Sequence, residues 1–195
     1  MLTLCETRVF AIGTEGCEYE ARECVPTSPR SRSGFRCGAG FSRFILNWMA
    51  QDAFLAAAIL QARKSEAEGG IPIGAVLVHQ GRIIGAGHNC RVQTGSPIDH
   101  GEMNCLRNAG RLTGRIYRES VMYTTLSPCP MCSGAILLYK IPRVVIGENE
   151  TFLGSEELLR SQGVSVEIAN DAECLAMMKR FIARNPELWR EDIAI

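Results

Sequence analysis

The chain turns on Asp99-His100-Gly101-Glu102 and its downstream answer, Ser127-Pro128-Cys129-Pro130-Met131-Cys132. Together they offer one imidazole and two thiolates as metal ligands, with a carboxylate two residues from the imidazole. Three N/S donors leave the fourth tetrahedral position of a zinc ion open for water, which is the arrangement of a catalytic rather than a structural zinc. Bound Zn2+ lowers the pKa of that water from about 15.7 to about 7, so a zinc-bound hydroxide is the expected nucleophile. The expected metal set is therefore His100, Cys129 and Cys132, with Glu102 as catalytic proton carrier. A lone Cys-x-x-Cys would be a weak signal, shared with redox pairs and structural zinc sites. The chain has no second such pair, and His-x-Glu precedes this one by enough residues for a helix, a loop and a strand. The alternative is two core cysteines and an unrelated histidine.

Working outward, apolar residues at Ala53, Phe54, Ala57, Ala58 and Leu60 predict a helix that Gly69-Gly70 ends. Residues 73–78 read as a strand, Gln80-Gly81 as a turn and 82–87 as a returning strand. A helical run over 99–109 then carries His100 and Glu102 in its first turn. Residues 121–126 form a β-rich strand that delivers Cys129, and Pro130 suits the first position of the helix that follows. Cys129 and Cys132, three apart, meet on one face of that turn, where the positive end of the helix dipole favours thiolates. Two helix N-termini thus point at one metal. A strand over 143–147 pairs parallel with 121–126 through a right-handed crossover. A short helix over 156–161, a fifth strand over 164–168 and a helix capped by Asp171 and running to 184 complete the order. Asn185-Pro186 break that helix before a last amphipathic turn. Met177, Met178 and Phe181 read as core. The expected fold is α/β: a three-layer α/β/α sandwich with a mixed five-stranded sheet.

Other residues remain open at this level. Asn89, just past the second strand, is either a turn-former bonded to its own backbone or a pocket amide. His79 and His88 fall on the hairpin without evident partners and read as structural or solvated. Residues 1–45 show no sustained period, hold Cys5, Cys17, Cys24 and Cys37, and are expected to be a disordered extension; 46–195 form the catalytic domain. Met49 is an alternative functional start. Five glutamates between residues 6 and 23 argue against a mitochondrial transit peptide.

Composition excludes some classes. Lys plus Arg and Asp plus Glu balance at 21 each, so no net field favours tRNA or DNA, and no nucleic-acid partner is expected. No apolar run of membrane-spanning length and no secretory signal is present, so no membrane partner is expected. Nine cysteines, an odd number in a chain of 195 residues, fit a reducing compartment better than a disulfide framework. The expected location is cytoplasmic, with the nucleus left open.

From about residue 50 onward the sequence resembles the cytosine deaminases of yeasts and related fungal and bacterial enzymes, within the cytidine/deoxycytidylate deaminase superfamily. His-x-Glu with Pro-Cys-x-x-Cys is the known signature of zinc nucleobase deaminases and reaches only that superfamily. Gly69-Gly70-Ile71-Pro72-Ile73-Gly74, Gly87-His88-Asn89, Tyr123-Thr124-Thr125-Leu126, Ile141-Pro142-Arg143 and Gly147-Glu148-Asn149 extend the likeness. The tail around Trp189 and Asp192, with residues 149–152, points to the free-base enzymes. The resemblance implies hydrolytic deamination of cytosine to uracil and ammonia, in pyrimidine salvage, by a homodimer. It also implies that Asn89, Asp192 and the backbone N–H of Gly101 bond the pyrimidine. Phe152, Trp189, Ile73 and Leu126 would line its faces, and the Ser127 carbonyl would lie near the leaving amine. Trp189 and Phe152 have a plainer reading as core residues. A carboxylate at 192 would accept a ring N–H that free cytosine has and that a nucleoside lacks. Three departures stand out: a shorter hairpin turn, the unmatched N-terminal extension, and Arg190 where the yeast tail has an aromatic. Guanine deaminase and tRNA wobble-adenosine deaminase are the alternative activities. A catalytically inactive partner subunit is the non-enzyme alternative, and an intact Glu102 counts against it.

Overall fold

Side chains two apart along each strand fall into two different apolar clusters, and that alternation builds the layers. Ala75, Leu77, Met122, Val144 and Ile146 pack to one side with Cys105, Leu106, Ile136 and Leu159. Val76, Val78, Tyr123 and Val145 pack to the other with Leu55, Ala58, Ile59 and Cys174. The computed structural model describes residues 39–193, with side chains from residue 53 onward. The expected disordered stretch lies outside the described residues up to 38, and the first helix opens ahead of residue 46.

The elements run α1 (Ala39–Ala67), β1 (Gly74–His79), β2 (Arg82–His88), α2 (Arg91–Thr94), α3 (Gly101–Ala109), α4 (Gly114–Arg118), β3 (Ser120–Leu126), α5 (Pro130–Tyr139), β4 (Arg143–Glu148), α6 (Glu156–Ser161), β5 (Ser165–Ile168), α7 (Ala172–Arg184) and α8 (Pro186–Asp192). The sheet order is β2-β1-β3-β4-β5. β1 is antiparallel to β2 and β3, whereas β3, β4 and β5 run parallel. This is the mixed five-stranded sheet expected, with α3, α4, α5 and α6 feeding one apolar layer and α1 and α7 the other. Gln80 and Gly81 both have positive φ, which is what a two-residue turn matching the twist of the hairpin requires. Asp171 caps α7 as expected, accepting from the N–H groups of Glu173 and Cys174 at 2.9 Å each.

Three details differ from the sequence reading. Asp99 does not begin α3: its carbonyl accepts from Cys90 N–H at 2.8 Å, and its carboxylate is held by Arg107 at 2.8 Å and Thr94 at 3.1 Å. Those bonds keep its backbone out of the helix and make His100 the N-cap. The hairpin histidines have partners, His79 with Glu119 at 3.2 Å and His88 with Glu68 at 2.9 Å. The short helices α2 and α4 carry too few residues to show a period.

Close approach of α1 to β1 is set at Gly74, where a methyl group would overlap Ala58 O and Ala62 N. Gly74→Ala is therefore expected to cost about 1–3 kcal/mol, read as a lower urea midpoint at unchanged slope. Among the described residues no helix is long and apolar enough to cross a membrane, and Cys90, Cys105, Cys129, Cys132 and Cys174 are free thiols.

Candidate active site

The C-terminal end of β3, the loop that follows β4 and the starts of α3 and α5 meet at one cavity, where open α/β sheets place their ligands. His100 and Cys129 occupy equivalent places, each the N-cap of its helix with extended backbone. Neither side chain caps its helix, so both are free to turn inward. Pro130 stands in the first turn of α5, where a missing N–H is harmless. The Sγ of Cys129 lies 3.5 Å from His100 Nδ1, and the donor atoms of His100, Cys129 and Cys132 all fall within 4.8 Å of one another. Tetrahedral zinc with ordinary Zn–S and Zn–N bonds sets such donors about 3.6 Å apart, so the cluster fits the ion.

Electrostatics agree with that fit. The hydrogen bond from Cys132 pushes the Cys129 thiol down to about 4, against its burial and with help from His100. Cys132 is pushed up by the same bond and by burial, so the pair shares one proton that a metal would displace. Burial opposes protonation of His100, but its bond to Cys129 and the charge of Asp192 leave it raised.

Glu102, 4 % exposed, stands in the first turn of α3 beside this cluster and accepts from the Thr124 hydroxyl at 3.2 Å. Burial pushes its carboxyl up, the direction a group that both takes and returns a proton needs.

The cavity holds about 320 Å³, its open mouth included, and its walls are Ile73, His100, Glu102, Leu126, Ser127, Cys129, Phe152, Trp189, Asp192 and Ile193. Phe152 and Trp189 meet edge to face with ring centres 6.0 Å apart. Trp189, Ile73 and Leu126 also belong to an apolar cluster with Ile71, Met178 and Phe181, so wall and core are the same side chains there. Cys132 and Gly101 lie behind the wall, Gly101 packed against Ile73. Asn89 is fully buried and also behind it: its Nδ2 donates to Asp192 Oδ1 at 3.2 Å while its Oδ1 accepts from Arg91 N–H at 3.1 Å. The bond from Arg91 N–H is the local backbone bond of the turn-former reading, and the other end of the amide reaches the cavity only through Asp192. Arg190 bonds Glu187 on the surface and does not line the cavity.

Sequence reasoning missed Ile193, Arg91 and two buried acids. Glu148, 2 % exposed, accepts from the N–H groups of Glu150 and Thr151 and from the Thr151 hydroxyl. Glu156, 4 % exposed, accepts from Ser127 Oγ at 2.9 Å and Asn149 Nδ2 at 3.0 Å. Between them they pin the loop that carries Phe152 onto the turn that carries Cys129. Glu148 acts locally, on N–H groups two and three residues on, whereas nothing near Glu156 in sequence points to Ser127. Glu156→Ala removes the acceptor for the buried Ser127 hydroxyl and for Asn149 Nδ2, and is expected to cost about 1–3 kcal/mol in thermal unfolding.

The sequence matches the family described as the cytidine and deoxycytidylate deaminase zinc-binding region over residues 49–148. A relative named cytosine deaminase, from Candida albicans, is 54% identical over 140 residues, covering 71% of this chain and 93% of that one. A tRNA-specific adenosine deaminase from Streptococcus pyogenes is 36% identical over 155 residues, covering 74% and 89%. Among solved structures, a tRNA:A34 deaminase superposes with TM-score 0.52 at 26% identity, over 61% of this chain and 98% of that chain. A guanine deaminase from Nitrosomonas europaea superposes with TM-score 0.56 at 20% identity, over 67% and 84%, a likeness of fold.

Proposed function

Because this chain belongs to the cytidine and deoxycytidylate deaminase zinc-binding family, we propose that it hydrolyses free cytosine to uracil and ammonia. The single observation that carries the substrate is Asp192: 3 % exposed at its side chain, it stands on the cavity wall with an oxygen 3.8 Å from the imidazole of His100. A buried acceptor there suits a base whose ring nitrogen bears hydrogen rather than sugar, and it disfavours a nucleoside or a flipped-out nucleotide. Identity of 54% to a cytosine deaminase points the same way.

Zinc held by His100, Cys129 and Cys132 would supply Lewis acidity, lowering the pKa of a water from 15.7 to about 7. The chain's own residues do the rest. Glu102 receives a proton as water adds at C4 and delivers it to N3; it then takes the proton of the hydroxyl added at C4 and passes it to the departing amino group, leaving the C4 carbonyl. One water is consumed and one ammonia leaves. Trp189, Phe152, Leu126 and Ile73 hold the ring on its faces and exclude bulk water. Asp192 accepts the ring N1–H, with the Asn89 amide behind it, and the Gly101 N–H is a further donor to the ring. The Ser127 carbonyl faces the amine being lost.

The proposal extends to a homodimer of the cytoplasm serving pyrimidine salvage. Supporting the dimer, α5, α6 and the loop before α6 expose Leu138, Tyr139, Leu153 and Leu158, more apolar surface than single scattered residues. Sedimentation at micromolar concentration, showing two chains, checks it. The reaction is checked by ammonia release from cytosine, cytidine, guanine and tRNA. Cytosine alone should react, and turnover of guanine or tRNA in its place would replace this reading with one of the alternatives.

A further inference from the structure

Arg91 commits a largely buried guanidinium to the cavity's closing helix, through bonds that the chemistry above does not use. Its Nη1 donates to Asp192 Oδ1 at 2.7 Å and its Nη2 to the Glu191 carbonyl at 3.4 Å. Its Nε is buried and donates to nothing, so among the described residues every bond of this guanidinium runs to the last turn of α8. The backbone N–H of Arg91 is fixed in turn by Asn89 Oδ1, and Asn89 Nδ2 reaches the same oxygen of Asp192. Asn89, Arg91 and Asp192 thus form a closed ring of bonds across about a hundred residues of chain, and all of the carboxylate's bonds land on Oδ1.

We propose that Arg91 is a positioning residue: a clasp that holds the end of α8 over the cavity and aims Asp192 at the ring N–H of the base. The proposal rests on Asp192 being the acceptor for that N–H. Its physical basis is the pairing itself. A carboxylate 3 % exposed at its side chain is short of partners once a guanidinium is removed, and relief comes by moving toward water. The earlier part of α8 is held independently by Trp189 and Leu188 in the apolar cluster, and Ile193 packs against the same cluster just past the helix, so loosening is confined to the last turn. A lysine could satisfy Asp192 but not Asp192 and the Glu191 carbonyl together, because it lacks the planar fork.

The affected bond is remote from C4. Its loss therefore weakens ground state and transition state alike and appears in KM rather than kcat. A charge-assisted hydrogen bond of this kind corresponds to at least a tenfold change, roughly, in affinity.

The test compares wild type, Arg91→Met and Arg91→Lys, each zinc-loaded, by hydrogen exchange and by steady-state kinetics with cytosine and 1-methylcytosine. In Arg91→Met, amides over residues 190–193 should exchange faster while α3 and α5 are unchanged. KM for cytosine should rise about tenfold or more with kcat within about threefold. The preference for cytosine over 1-methylcytosine, which has no N1–H to offer, should fall by the same factor. Arg91→Lys should be intermediate in both, and it carries the test alone should Arg91→Met not fold. Unchanged exchange in α8, or an equal loss on both bases, overturns the clasp. If wild type releases no ammonia from cytosine, the substrate reading falls, and exchange over 190–193 alone then decides whether Arg91 holds the helix.

Discussion

Glu102→Gln is expected to keep its zinc, melt with the wild type and deaminate cytosine about 10⁴-fold more slowly, at the upper end of what a positioned acid–base contributes. The structure gives three reasons for separating activity from folding here. Glu102 is not one of the three clustered donors, so metal content should not change. The amide matches the carboxylate in volume, and its oxygen can still accept from Thr124 Oγ1, which lies 3.2 Å from Glu102 Oε1. Burial pushes the Glu102 carboxyl up, so a neutral amide introduces no new cost of desolvation. What it cannot do is receive a proton from water and return it to the base. Zinc content by metal analysis, the melting curve and ammonia release together check this, and robust turnover would remove Glu102 from the mechanism.

Cys129→Ala should lose both zinc and activity, in contrast to Glu102→Gln. Cys129 is the donor whose thiol is already pushed down to about 4 by its neighbours, so it meets a metal as thiolate without further cost at neutral pH. His100 Nδ1 lies 3.5 Å from its sulfur, and removing that sulfur leaves two donors where a catalytic zinc needs three. The same loss should follow from prolonged treatment of wild type with a chelator, reversed by added zinc. Binding to the folded state alone adds stability of about 4 kcal/mol when free zinc is a thousandfold above its dissociation constant, so the stripped protein should melt lower. A zinc-replete, active Cys129→Ala protein would show that the donor set is wrong. A stripped protein with full activity would show that the metal is not needed.

The order of α1, the hairpin, α3, β3, α5 and β4 was legible because each carries a local signal. Gly69-Gly70 ends the helix α1, Gln80-Gly81 turns the hairpin, Pro130 opens α5, and Asp171 caps α7 with two bonds of 2.9 Å. The metal set was legible for the same reason: His-x-Glu and Cys-x-x-Cys are each short, and each needs only one helix N-terminus to aim it. Where a competing bond lay farther along the chain the reading slipped. Asp99 looked like the first residue of a helix until Thr94, Cys90 and Arg107 claimed it. His79 and His88 looked unpartnered because Glu119 and Glu68 are not near them in sequence.

Sequence alone offered the donors that the fold brings together, since His-x-Glu and Cys-x-x-Cys each fit within one helical turn. Tertiary structure alone decided how the cavity is closed and held. Arg91 and Asp192 meet across about a hundred residues of chain, and Glu156 accepts from Ser127, 29 residues away, a partner that no spacing rule connects to it. The physical reason is that an acid or a guanidinium looks the same in a sequence whether water or a buried partner satisfies it, and only the packed chain brings the partner.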